Sequence, residues 1–201
     1  MRHGWMVLLL LTASLHADCT VSVFPSQTKS LEFRQTTTSE LGESVHTLTW
    51  SNREIHGERV QWTEVFAAEG RDDRTSTAHY RCSKDGITPE LEGDTKFTGV
   101  QYGNDLKPGS EWTWTWAGTG ISAAYTYRVT KTEKVTVPAG TFDAARVEYT
   151  AIAKSETRGE LPQITGTLWM AEGVGLVKQV EDDPALGLIP DQTTLELITR
   201  Q

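Results

Sequence analysis

No apolar run in this sequence is long enough to cross a bilayer: the longest, Trp5 to Leu11, is roughly half of the ~20 residues that a spanning helix needs. No helical membrane anchor is therefore expected. Cysteine is equally scarce, with only Cys19 and Cys82, and no CxxC or neighbouring histidine spacing suggests a metal site. Charge of one sign is nowhere concentrated. The 19 basic and 27 acidic residues are scattered and give a net charge of −8, or −9 once Arg2 is removed, which argues against nucleic acid or anionic lipid as partner. There is no G-x-S-x-G elbow, and Gly118-Thr119-Gly120 and Gly173-Val174-Gly175 lack the strand-to-helix setting of a phosphate cradle. No catalytic constellation emerges, so the expectation is a protein that is not an enzyme and needs no cofactor.

The amino terminus has the shape of an export signal. Arg2 precedes the apolar run, polarity returns at His16, and small Ala17 marks the best cleavage point, so residues 1–17 are expected to be a leader and 18–201 a single β domain. The expected location is periplasmic or extracellular. Lipidation at Cys19 is the rival reading, but Asp18 and His16 stand where a small and an aliphatic residue are usual. In an oxidising compartment the natural expectation is a Cys19–Cys82 disulfide.

Beyond the leader, side chains alternate between apolar and polar almost everywhere, and turn residues recur at hairpin spacing. Strands are predicted over residues 31–38, 44–51, 59–67, 75–82, 95–102, 111–116, 123–130, 134–138, 144–153, 164–170, 176–181 and 193–199. Turns are predicted at Ser51-Asn52-Arg53, Lys84-Asp85-Gly86, Lys107-Pro108-Gly109 and Pro138-Ala139-Gly140. No segment reads as a long amphipathic helix. A sheet without helical cover must bury a face against itself, so the expected fold is all-β and mainly antiparallel: a strongly curved sheet forming a half-barrel, barrel or sandwich.

The most unusual stretch is Glu111 to Trp116, where Trp112, Trp114 and Trp116 alternate with threonine and so share one face of a strand. If that face is open, it is a candidate ligand-binding surface for an apolar molecule or a sugar; if closed, the indoles are core, which is the better expectation. Trp50, Trp62 and Trp169 are expected to join the same interior. Six tryptophans beyond the leader are many indole N–H groups to satisfy in a dry core, which favours an interior that is partly wet or holds a ligand. His46, His56 and His79 form no metal motif. The pairs Asp72-Asp73 and Asp182-Asp183 point apart in extended chain and make poor acid/base dyads.

Three segments carry a resemblance: Leu106 to Trp112, Val135 to Ala144 (V-T-V-P-A-G-T-F-D-A) and Trp169 to Lys178 (W-M-A-E-G-V-G-L-V-K). Together with Tyr80-Arg81-Cys82 and Asp85-Gly86-Ile87, they resemble a group of uncharacterised exported bacterial β-proteins. The resemblance implies a curved antiparallel sheet, similar to the half-barrels of periplasmic lipoprotein carriers, and transfers no catalytic residue. Two functions follow as expectations: a binding module for an apolar or amphipathic cell-envelope ligand such as a lipid, or a structural or interaction protein of the envelope with a closed tryptophan core and a protein partner.

Overall fold

The computed structural model describes residues 29–68, 70–90, 94–184 and 191–201. The expected leader and Cys19 lie outside these residues. Among the described residues fourteen strands form: β1 (Ser30–Ser39), β2 (Gly42–His56), β3 (Arg59–Ala68), β4 (Arg74–Ser83), β5 (Gly86–Glu90), β6 (Lys96–Gly99), β7 (Tyr102–Gly103), β8 (Glu111–Gly118), β9 (Ile121–Val137), β10 (Gly140–Ser155), β11 (Gly159–Glu160), β12 (Ile164–Ala171), β13 (Gly175–Asp183) and β14 (Asp191–Arg200). All belong to one antiparallel sheet in the order β6-β8-β9-β10-β12-β13-β14-β1-β2-β3-β4-β5-β7, with β11 beside β10. The all-β expectation holds, as a single open sheet.

Both edges come from one stretch of chain. β6 pairs with β8, and after two residues β7 pairs with β5, so the strand predicted over 95–102 is split between opposite edges. Gly99, at φ 81°, makes the change of partner possible. The two linking residues are also tied: Val100 N–H donates to Thr113 O at 3.3 Å and Gln101 N–H to Ile87 O at 2.8 Å. The sheet therefore curls until a single segment spans its open seam.

Curling buries one face against itself. Leu31, Phe33, Val60, Ile87, Val129, Val147, Leu168, Met170, Val177 and Leu197 are all buried there, in one cluster that includes strands from both ends of the sheet. Along some strands burial falls off in one direction: on β13 from Val177 to Gln179 and Glu181, on β14 from Leu197 to Thr193, whereas on β9 Tyr125 is half-buried between buried Tyr127 and Ala123. The inner face is thus a cup, packed at one end and half-exposed at the other. The turn of the V-P-A-G-T-F segment lies at the packed end, where Ala139 N–H reaches across to Leu197 O at 3.1 Å, and Val174 of the second hairpin segment is buried with Ala144 and Leu176 in the same cluster. Those segments close the fold.

Three sequence expectations are corrected. Ser51-Asn52-Arg53 is no turn but an irregularity within β2, where the pairing shifts between Ser51 and Glu54 and Asn52 takes φ 52°, a conformation asparagine tolerates. Residues 123–130 and 134–138 are parts of the single strand β9, in which Thr130 is an extra residue opposite the step from Arg146 to Val147 of β10. Trp169 does not share the face of the other indoles: it is in register with Arg146 and Lys178, while Met170 takes the inward row with Ala145 and Leu176. Its indole N–H donates to Glu133 Oε1 at 2.9 Å, and Arg146 and Lys178 each stand 5.9 Å from its ring.

Candidate functional site

Register carries the tryptophan row into the cup. Trp112, Trp114 and Trp116 lie opposite Tyr127, Tyr125 and Ala123 of β9, and the first two of those oppose Tyr149 and Ala151 of β10. All three indoles therefore face inward, as alternation requires. Trp112 stacks on Tyr127 at 5.2 Å, and Trp114 lies 6.0 Å from Phe97 and 4.9 Å from Tyr125. Trp114 is 8% exposed, whereas Trp112 and Trp116 are half-buried. Across the seam, Trp50 and Trp62 stack at 4.8 Å between Phe33 and Tyr80. Five of the six tryptophans among the described residues thus line one interior.

The indole N–H groups are served unequally. Trp112 donates to Gln101 O at 3.4 Å, in the segment that spans the seam. The Trp50 and Trp114 nitrogens are buried without a hydrogen-bond partner, as is His46 Nδ1. An unmet donor in an apolar surround costs about 1–3 kcal/mol, so two of them on one face mark where a ligand oxygen or a water would be stabilising.

Sequence reasoning missed the polar half of this interior. Tyr149, Gly166 and Glu181 occupy one row across β10, β12 and β13. The Tyr149 ring lies over Gly166, where a Cβ would collide with it, and so its hydroxyl reaches Glu181 and donates to it. Gln179 Nε2 donates to the Tyr149 hydroxyl at 3.1 Å. Gly166→Ala is expected to lift the ring off this partner and lower stability by about 1–3 kcal/mol, measured by denaturant unfolding, with tyrosine absorbance reporting the displaced ring. Glu64 on β3 is the second inward carboxyl, beside Trp62.

Burial raises both carboxyls above their ordinary range. For Glu181, the charges of Asp183 and Asp182 add to the rise, while the hydrogen bonds from Tyr149 and Gln179 oppose it. Burial, followed by the charges of Glu64 and Glu181, pushes the Tyr102 hydroxyl up to about 12. Tyr102 thus stands within electrostatic reach of both carboxyls. A carboxyl raised in the folded state binds more protons there than in the unfolded chain, so its penalty is absent below the ordinary glutamate range and develops as pH rises through the folded value. Glu181→Gln, which keeps an acceptor for Tyr149, is expected to raise Tm at neutral pH. That gain should vanish in acid, as thermal melts across a pH series will show.

The remaining candidates lie elsewhere. His56 and His79 line an open groove of about 940 Å³ with Arg59, Arg81 and Glu90, whose register positions are on the outer face. Both arginines are committed to Glu90, at 3.2 and 2.7 Å. His46 faces inward at the half-exposed end, its ring 4.9 Å from Phe66. Cys82 is buried on β4. Among the described residues no His, Cys, Asp and Glu group has the arrangement of a metal site, and no helix is long and apolar enough to cross a membrane.

Comparison with known proteins agrees with this geometry. The sequence pattern of a family described as DUF3108-like matches residues 121–183, which run from the start of β9 to the end of β13. No curated protein matches. A solved structure from Bacteroides fragilis, of a protein predicted to be exported and described as having a YmcC-like fold, superposes with a TM-score of 0.58 at 15% identity, covering 90% of this chain and 99% of the other. A protein of Parabacteroides distasonis, predicted to be a lipoprotein, gives 0.57 at 17% identity with the same two coverages, 90% and 99%. At such identities the likeness is one of fold, and the chain shares the YmcC-like architecture over most of its length.

Proposed function

We propose that this protein is an exported, non-catalytic binding module that holds an apolar or amphipathic cell-envelope molecule against the aromatic half of its cup. The observation that carries the reading is the half-exposed, ring-lined inner face running from Trp116 and Tyr125 toward Trp112, with the unpartnered Trp50 and Trp114 N–H groups set behind it. Binding sites of this kind are mostly apolar with a few convergent polar groups. The leader-like amino terminus, and the exported or lipoprotein character predicted for the two proteins of like fold, support an envelope location. The scattered acidic surface supports neither nucleic acid nor anionic lipid as partner.

Tryptophan emission provides the test. Single-chain lipids, hydrophobic dyes and short oligosaccharides are titrated into the protein, and a saturable spectral shift with at least one class is expected, reduced severalfold in Trp116→Ala. A flat response to every class would defeat the reading. One observation favours the alternative of a structural or interaction protein: Trp62 and Trp114, at 4% and 8% exposure, are already packed by neighbouring rings. That alternative predicts no small-molecule response and a cross-linked envelope protein instead.

A further inference from the structure

The inner face is aromatic on one side and acidic on the other. Glu181 and Glu64 both project into the cup, and Asp183 occupies the next inward position beyond Glu181 on β13. Among the described residues, no lysine, arginine or histidine forms an ion pair with Glu64 or Glu181. His46 and Arg74 are the basic residues in the inward rows at this end: His46 packs on Phe66, and Arg74 stands exposed where β4 begins, opposite Phe66. Several outward-facing acids are treated differently. Glu90, Glu111, Glu133, Asp143, Glu148, Glu160 and Glu196 each have a cationic partner.

Carboxylates buried without counter-charge are costly, and proteins as a rule pair them. Here the surroundings are those that favour a cation from outside. Tyr149, Tyr125, Tyr127, Tyr80, Tyr102 and Trp62 offer electron-rich faces and hydroxyls around the two acids, and an ammonium group held by aromatic faces and desolvated carboxylates gains both cation–π and ion-pair energy. An anionic head would meet Glu181 and Glu64, neither of which has a cationic partner among the described residues, and would be repelled. A neutral head would leave the two acids as uncompensated as before.

Resting on the binding-module reading, we propose that the acidic side of the cup recognises a positively charged amine, so that the ligand is a cationic amphiphile whose tail lies on the tryptophan side and whose head meets Glu181 and Glu64. The raised carboxyls fit this picture, since a bound ammonium would supply the missing counter-charge and bring them back toward their ordinary range.

The experiment compares amphiphiles of equal chain length and different heads: dodecyltrimethylammonium, dodecyl maltoside and laurate, each below its micellar range. Binding is read by tryptophan emission, with far-UV circular dichroism confirming that the fold persists. The expected result is an affinity for dodecyltrimethylammonium at least about tenfold above that for laurate, a difference of ~1.4 kcal/mol. In the Glu64→Gln/Glu181→Gln double variant this preference should collapse, while the affinity for dodecyl maltoside stays within about twofold. The outer-face control Glu148→Gln should retain the preference, which separates recognition in the cup from general attraction to an acidic protein. A preference that survives in the double variant, or that the control also abolishes, overturns the inference. Equal binding of all three heads by the wild type overturns it too and leaves the binding module standing, whereas no binding of any of them, nor of the broader panel, removes the module itself.

Discussion

Replacing Trp114 with alanine is expected to lower the unfolding free energy by about 3–5 kcal/mol, the range for deleting a large buried aromatic side chain. Trp114 sits between Phe97 on the seam segment and Tyr125 on β9, and its indole is 8% exposed. The loss is therefore felt twice, as a cavity among rings and as weaker packing of β6, a four-residue edge strand that among the described residues pairs only with β8. For a chain of this size each kcal/mol moves Tm by about 2–4 °C, so a fall on the order of 10 °C is anticipated in calorimetry. Trp116→Ala, at the half-exposed end of the row, should cost about 1 kcal/mol and keep the fold. If Trp114→Ala melts like the wild type, this indole is not part of the core and its assignment to the closed wall is wrong.

Reduction should produce the second large effect. A bond between Cys19 and Cys82 would close a loop of about 63 residues, worth roughly 4 kcal/mol by loss of chain entropy in the unfolded state. Cys82 is buried near the packed end of the cup, beside Ile87 in the β4–β5 ladder. Cys19 lies outside the described residues. In the exported protein, dithiothreitol is expected to lower Tm by roughly 10 °C. Cys19→Ser should have the same effect and should make the melt insensitive to reductant. Identical melts with and without dithiothreitol, together with two titratable thiols in the denatured protein, would show that the pair does not form.

Much of the architecture was legible in the chain because alternation is a local property. Ala123, Tyr125, Tyr127 and Val129 can be assigned to one face by counting, and so can Trp112, Trp114 and Trp116; the structure places both rows inward. Counting fails where a strand is apolar on both faces. Leu168-Trp169-Met170 is apolar at every position, so parity cannot choose a face; in β12 Leu168 and Met170 take the inward row and Trp169, between them, faces outward beside Arg146 and Lys178. β5 is absent from the strands expected from the sequence, and it contains Pro89, a residue that breaks most strands. Proline is tolerated there since β5 has β4 on one side and only the two residues of β7 on the other.

The candidate site divides along the same line. Its aromatic side was readable, because three indoles at spacing two announce a shared face without knowledge of any partner. Its acidic side was not. Glu181 meets Tyr149 across a separation of 32 residues, and Glu64 shares Tyr102 with it only because the sheet curls. Nothing in the spacing near either glutamate distinguishes it from a surface carboxylate.

From the residues alone came the β class, the inward tryptophan row and the expectation of export, since each depends on neighbours a few positions apart. The curl decided the rest: which acids face inward without a counter-ion, which end of the cup is packed, and how one short segment serves both edges. Those follow from long-range pairing and register shifts, and a single displaced residue in a strand reverses the face of every side chain beyond it.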